Sequence, residues 1–219
     1  MNPSQSKPFS PSRALLGALL ALAGLALAAA VDKGVYANIG VEGLSKSDWH
    51  RALRSLGYLP VWLMVAAALV MHDWPRRVGR GLGAAMARGA FVAAATVGSG
   101  IAGEILKLII RRERPDEHGG ESVFRPFTER LFESGGLATP SSHAVVAFAG
   151  AWALCRLFPR GSLLWVALAA GCGLTRILDR AHFVSDIFLA ALLSLIVTRA
   201  AERWVRRPLE RDAAPEGVP

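Results

Sequence analysis

Eighteen consecutive residues without a charge, Ala14 to Val31, constrain this chain's fold more than anything else in it. As a helix they measure about 27 Å, close to the ~30 Å hydrocarbon core of a bilayer. Ala28, Ala29 and Ala30 mimic a signal cleavage site, but a signal core holds only about 7 to 15 apolar residues, so a retained membrane helix is expected. Five further apolar blocks follow: Ser55 to His72, Gly89 to Gly103, Ser134 to Cys155, Gly161 to Thr175 and Ile187 to Thr198. None has a clean polar stripe. Several fall short of the roughly 20 residues that span a bilayer, which leaves a soluble protein with buried core helices as the competing fold. An apolar share of 53% against 19% charged residues favours the membrane.

Six helices put both termini on one side, and the loops after the first, third and fifth on the other. With the N-terminus inside, Lys and Arg number 12 on each side, and 12 against 9 once Lys107, Arg114 and Arg176 are set aside for a site. The positive-inside rule then favours this orientation weakly. The expected organisation is a cytoplasmic N-terminal segment over 1–13, a six-helix membrane domain over 14–202 and a charged, frayed cytoplasmic tail over 203–219. In the first outer loop, Lys33 to Arg54, the stretch Lys46-Ser47-Asp48-Trp49-His50-Arg51 with Arg54 suits a short interfacial helix anchored by Trp49, or an ordinary connection. Cys155 and Cys172 sit in separate apolar blocks and read as core thiols. The net charge of +8 is scattered between apolar blocks, which fits anionic lipid or a phosphorylated substrate better than nucleic acid.

Three clusters fall at helix ends that this topology gathers on the outer face. Lys107, Arg111 and Arg114 stand at i, i+4 and i+7, so a continuing helix aligns them until Pro115 stops it. A lysine point charge and a forked guanidinium suit a phosphate dianion, although a basic helix end also serves as a plain interfacial flank. In Thr139-Pro140-Ser141-Ser142-His143, Thr139 is placed to cap a helix with Pro140 at its first position, leaving backbone N–H groups for an anion and His143 beside it. A lone interfacial His is the plainer alternative. In Thr175-Arg176 through His182 to Asp186, the last two are four apart, so a shared helical face lets the carboxylate hold one imidazole nitrogen and free the other for proton transfer. Simple helix pairing explains the same spacing.

Together, Lys-x6-Arg-Pro, Pro-Ser-x-His and (Ser/Thr)-Arg-x5-His-x3-Asp, in this order, resemble the three-part signature of the type 2 phosphatidic acid phosphatase and vanadium haloperoxidase superfamily. The motifs span Lys107 to Asp186. The resemblance implies an all-α, six-transmembrane-helix bundle with its active site at the outer, periplasmic ends of helices 3 to 6, in a bacterial inner membrane. It implies that Lys107, Arg114 and Arg176 hold the phosphate, with Ser141 and the backbone around Ser142. It further implies that His143 forms a phosphohistidine while His182, oriented by Asp186, protonates the leaving oxygen and later activates water. No metal or other cofactor is called for, and His118 beside Asp116 and Glu117 makes no convincing metal cluster.

Two positions depart from the family pattern: Ser142 stands where Gly is usual, which puts a loop requiring positive φ in doubt, and Thr175 replaces Ser while keeping the hydroxyl. The expected substrates are lipid phosphates, namely undecaprenyl diphosphate, phosphatidic acid, phosphatidylglycerol phosphate or lipid A, with polyprenyl diphosphate slightly ahead on commonness. A lipid-to-lipid phosphotransferase is the close alternative. A transporter is the remote one, since it has no use for two histidines and an aspartate. Haloperoxidase chemistry is set aside because those enzymes are similar in motif but not in this many membrane helices. The loop from Asp116 to Gly136 is a lid or a plain surface loop.

Overall fold

The computed structural model describes residues 11–39, 47–77 and 81–212. Most of the N-terminal segment, Lys46 and the end of the tail lie outside the described residues. Among these residues seven α-helices carry the fold: α1 (Pro11–Ile39), α2 (Asp48–Ser55), α3 (Leu59–Asp73), α4 (Gly81–Ile110), α5 (Ser142–Leu157), α6 (Ser162–Leu178) and α7 (Val184–Asp212). Among the described residues β-structure is limited to two isolated bridges, Arg112 with Phe124 and Glu113 with Leu137. Each apolar block of the sequence contributes a helix, but the fourth begins later than its composition suggests, because Ser134 to Ser141 is irregular chain. At the other end α7 runs through Arg203 to Asp212, where a frayed tail was expected.

Among the described residues four helices are long and apolar enough to cross a membrane: Ala14–Ile39, Met86–Ile110, Pro159–Leu178 and Val184–Val205. The pair α2 and α3, bent by 64°, makes a fifth if it is one broken span. The bend sits at Leu56–Tyr58, and the Trp62 indole fastens it by donating to the Leu56 carbonyl at 2.7 Å.

The short α5 is the axis of the bundle. It packs on α4, α6 and α7, and ten of its residues between Ala144 and Leu154 are buried. Alanine and glycine let the neighbours close in on it: a Cβ on Gly150 would stand 2.3 Å from the Trp62 ring, so the ring lies directly on the backbone there. Small residues at helix contacts bring apolar backbones into van der Waals range, the main attraction available between helices in lipid. By contrast α1 touches chiefly α7 and leaves Leu15, Leu16, Leu19 and Leu20 exposed, as a lipid-facing helix would.

Between α4 and α5 the chain is fastened from within. Arg111, only 1% exposed, donates to the carbonyls of Arg125 at 3.0 Å, Pro126 at 2.9 Å and Glu129. Buried Arg125 bonds the Glu113 carboxylate at 2.8 Å and the Gly135 carbonyl at 3.1 Å, and its bond holds the Glu113 carboxyl below the usual carboxylate range. The backbone of 112–114 pairs on one side with Val123 and on the other with Gly136 and Ala138. The 116–136 segment is thus strapped to the bundle by two buried guanidinium groups.

Candidate active site

The helix bearing Lys107 stops earlier than its basic stripe suggests. Arg111 adopts φ 59°, a left-handed conformation that ends α4 at Ile110. Arg111 therefore turns into the loop instead of joining Lys107 and Arg114, and Pro115 opens a short 3-10 turn rather than terminating the helix. The pairing of Arg114 N–H with the Gly136 carbonyl at 3.0 Å sets the first motif beside the second.

The second motif is also built differently. Ser141, not Thr139, occupies the cap position of α5, and Pro140 lies outside the helix after a cis peptide bond. Ser142, His143 and Ala144 form the first turn, whose N–H groups have no partner inside the helix. Ser142 opens α5, and the positive φ values of non-glycine residues fall elsewhere, at Arg111, Arg130 and Arg180 among the described residues. Serine in place of glycine is thus unstrained, and it adds a contact. Lys107 Nζ donates to Ser142 Oγ at 2.6 Å, and that hydroxyl donates to Glu104 at 2.6 Å.

His182 lies in the turn before α7, so it shares no helical face with Asp186. Its Nδ1 is 2.9 Å from the Ala138 carbonyl and 3.8 Å from Asp186 Oδ2. A carbonyl only accepts, so Nδ1 carries the proton and Nε2 is left for a substrate. Burial holds His182 below its ordinary value, against the opposing charge of Asp186. Asp186 is itself held by Thr139 Oγ, by Phe183 N–H at 2.8 Å and by Arg112 at 3.3 Å. Arg112 also reaches Asp32 of α1 at 3.1 Å. Asp32, Arg112 and the role of Thr139 were not foreseen, and no local pattern points to them because Asp186 meets Arg112 and Thr139 only where the α4–α5 connection packs on α7, and Asp32 joins from α1.

The structure brings the candidate residues into one electrostatic neighbourhood. Lys107 interacts with Arg114 and Asp186, Arg176 with Arg114, and His143 with Arg176, His182 and Lys107. Five buried polar atoms there have no hydrogen-bond partner: Arg54 Nε, Arg114 Nε, Ser141 Oγ, His143 Nε2 and Arg176 Nε. Buried polar groups are almost always bonded, so the unsatisfied arginine and serine donors fit an anion that supplies acceptors, with the unpartnered His143 Nε2 beside it. Three of the atoms belong to guanidinium groups, fork donors well matched to phosphate.

The wall beside His143 comes from the elbow between α2 and α3. The Tyr58 ring meets the imidazole edge-on at 5.1 Å, and a Cβ on Gly57 would lie 2.6 Å from His143 Cβ and 2.8 Å from its Cδ2. Gly57→Ala is therefore expected to push the imidazole aside and lower kcat by about tenfold or more, since a misplacement of ~1 Å can cost ~10²-fold. Steady-state kinetics on the variant, with its thermal unfolding as the check on folding, measures this; an unchanged kcat would detach the elbow from the site.

Outside this pocket, Glu113, Glu117 and His118 bring ligand atoms within 4.8 Å of one another. This grouping uses Glu113 in place of Asp116, and Arg125 already occupies that carboxylate. Cys155 and Cys172 are free thiols.

Residues 88–209 match the model of the PAP2 superfamily. Two lipid A 1-phosphatases, from Rhizobium etli and Rhizobium johnstonii, are each 36% identical over 143 residues. The match covers 60% of this chain, and 56% and 54% of those relatives. The chain therefore spans little more than half their length. No solved structure matches it. With a family match running from within the Lys107 helix past Asp186, over more than half of its length, the chain belongs to the PAP2 superfamily.

Proposed function

We propose that this protein is an integral-membrane lipid phosphatase that works through a phosphohistidine. The observation that carries the proposal is the set of unsatisfied donors around His143, on side chains whose cations would neutralise a transferring phosphoryl group in a water-poor pocket. Lys107, Arg114 and Arg176 hold the phosphate with Ser141 and the first-turn N–H groups of α5, the part Ser142 contributes to. His143 Nε2 attacks phosphorus as the bond to the leaving oxygen breaks, and His182 Nε2 gives its proton to that oxygen. In the second step His182 takes a proton from water, the water oxygen attacks phosphorus, and inorganic phosphate leaves His143.

In the bilayer, α1, the α2–α3 pair, α4, α5, α6 and α7 are read as six crossings, with both termini inside and the site facing the periplasm. The 16-residue α5 is short for a crossing, but protein surrounds it, and irregular backbone at membrane depth is tolerated where protein buries it. The names of the relatives support a lipid A type phosphate over polyprenyl diphosphate as the proposed substrate, with lipid supplied laterally between helices. The three side-chain cations do the charge work, so activity is expected to survive EDTA and to be inhibited by orthovanadate. Phosphate release by the detergent-purified protein is to be measured in EDTA with lipid A 1-phosphate, undecaprenyl diphosphate, phosphatidic acid and phosphatidylglycerol phosphate. Loss of activity on chelation would count against the scheme. Labelling from a ³²P donor without phosphate release would indicate a phosphotransferase, and the absence of both would revive transport.

A further inference from the structure

Outside the three motifs, α2 delivers a fourth cation to the pocket. Arg54 lies in the last turn of α2, and its Nε is buried without a partner. One end of its guanidinium, Nη1, is 4.0 Å from Asp179 Oδ2, the oxygen that accepts from Arg176 Nη1 at 2.7 Å. The two arginines thus flank one carboxylate. The other oxygen of Asp179 is 3.0 Å from Nε2 of the fully buried His50, one turn before Arg54, which ties α2 to the end of α6. Cys172 of α6 closes the same corner, with Sγ 3.9 Å from the Arg54 carbonyl and 4.0 Å from that of His143. Arg54 is also close enough for its charge to act on His143 and on Arg176. Four cations, the guanidinium groups of Arg54, Arg114 and Arg176 and the Lys107 ammonium, repel one another here, and Asp179 beside the first and last arginines with Glu104 beside Lys107 answers only part of that charge.

We infer that Arg54 is a phosphate-contacting residue of this site, donating alongside Arg176 to the phosphoryl group that His143 attacks. The inference rests on the phosphatase reading and extends it, because α2 then both covers the pocket and supplies part of its charge. Asp179 acts as the spacer: accepting from Arg176 and standing next to Arg54, it keeps both forks beside the nucleophile. A dianion entering the pocket satisfies Arg54 Nε and Arg176 Nε together. As the negative charge shifts during transfer, the arginine on α2 stabilises the same equatorial oxygens that Arg114 and Arg176 face.

The probe is inorganic orthovanadate, which occupies the place of the transferred phosphoryl group and involves no lipid. Its inhibition constant, its ability to raise the thermal unfolding temperature, and kcat and KM for phosphate release are compared in the parent, Arg54→Gln, Arg54→Lys and Arg51→Gln. Arg51 is the control: it lies on the same helix, is exposed and bonds Asp48. Arg54→Gln is expected to weaken vanadate at least tenfold, with a smaller vanadate-induced rise in unfolding temperature, and to lower kcat/KM by a similar factor. Arg54→Lys should fall between, since a point charge replaces a fork, and Arg51→Gln should match the parent. If Arg54→Gln does not fold, Arg54→Lys carries the test at threefold or more. Vanadate affinity within twofold of the parent in the folded Arg54 variants overturns the inference, even if KM for a lipid rises, because the contact would then be with the lipid headgroup alone. A parent that neither releases phosphate nor binds vanadate overturns the phosphatase reading, and the role of Arg54 falls with it.

Discussion

His143→Ala is expected to leave less than about 1% of turnover in a protein that remains folded. A nucleophile that forms a covalent intermediate cannot be replaced by water held in its place without losing the division of one hard displacement into two easier ones. Folding should survive because the imidazole contributes little to the interior: its Nε2 has no hydrogen-bond partner, and its neighbours, Gly57 and Tyr58, press on it from one side. Truncation relieves that contact, while Lys107, Ser141 and Arg176 stay in place. The variant should therefore still be protected against thermal unfolding by orthovanadate, but a ³²P donor should label the parent and leave the variant unlabelled. Residual turnover well above 1%, or labelling of the variant, would assign the nucleophile elsewhere. A transporter would retain anion binding in the variant as well, and is told apart by releasing no phosphate and taking no label in either form.

What the sequence disclosed follows from what is local. The apolar runs reveal α1 and α3 to α7 because burial in lipid demands composition, which needs no partner to be read. The three motifs name Lys107, Arg114, Ser141, His143, Arg176, His182 and Asp186 because fixed spacing survives in one dimension. Backbone detail between them was read wrongly where tertiary contacts overrode a local rule. The i, i+4, i+7 stripe fails at Arg111 because the carbonyls of Arg125, Pro126 and Glu129 draw that side chain away and a left-handed residue ends α4. Thr139 is a good cap by type, yet its hydroxyl serves Asp186, and Ser141 takes the cap position. The helical spacing of His182 and Asp186 misleads because α7 begins only at Val184. The stretch with His50 and Arg54 is legible as a short helix, which α2 bears out, but no role of His50, Arg54 or Asp32 at the site is, since each meets it across the bundle from a helix that contains none of the motifs.

Asp186→Asn is expected to lower kcat by about two orders of magnitude with little change in KM, less than the ~10⁴-fold seen where such a change leaves a histidine in the wrong tautomer. The difference lies in Ala138. Its carbonyl accepts from His182 Nδ1 at 2.9 Å, so the tautomer that leaves Nε2 free persists in the variant, whereas Asp186 stands 3.8 Å away and acts mainly through its charge. That charge matters when His182 carries a second proton, as the acid of the first step must. Burial already disfavours the imidazolium, and Asp186 opposes that effect; removing the carboxylate lowers the His182 value further. An acid must be protonated to act, so activity is lost as pH rises through its value, and the alkaline fall of the kcat–pH profile should move to lower pH in Asp186→Asn. Arg112 provides the control on the structural alternative. It loses an anionic partner at 3.3 Å in the variant but keeps Asp32 and the Ser185 hydroxyl at 2.8 Å, so the packing of α1 on α7 should hold and the unfolding temperature should change by only a few degrees. A fall in kcat with an unmoved pH profile would mean that Asp186 only braces the turn bearing His182; an unchanged kcat would remove it from the mechanism.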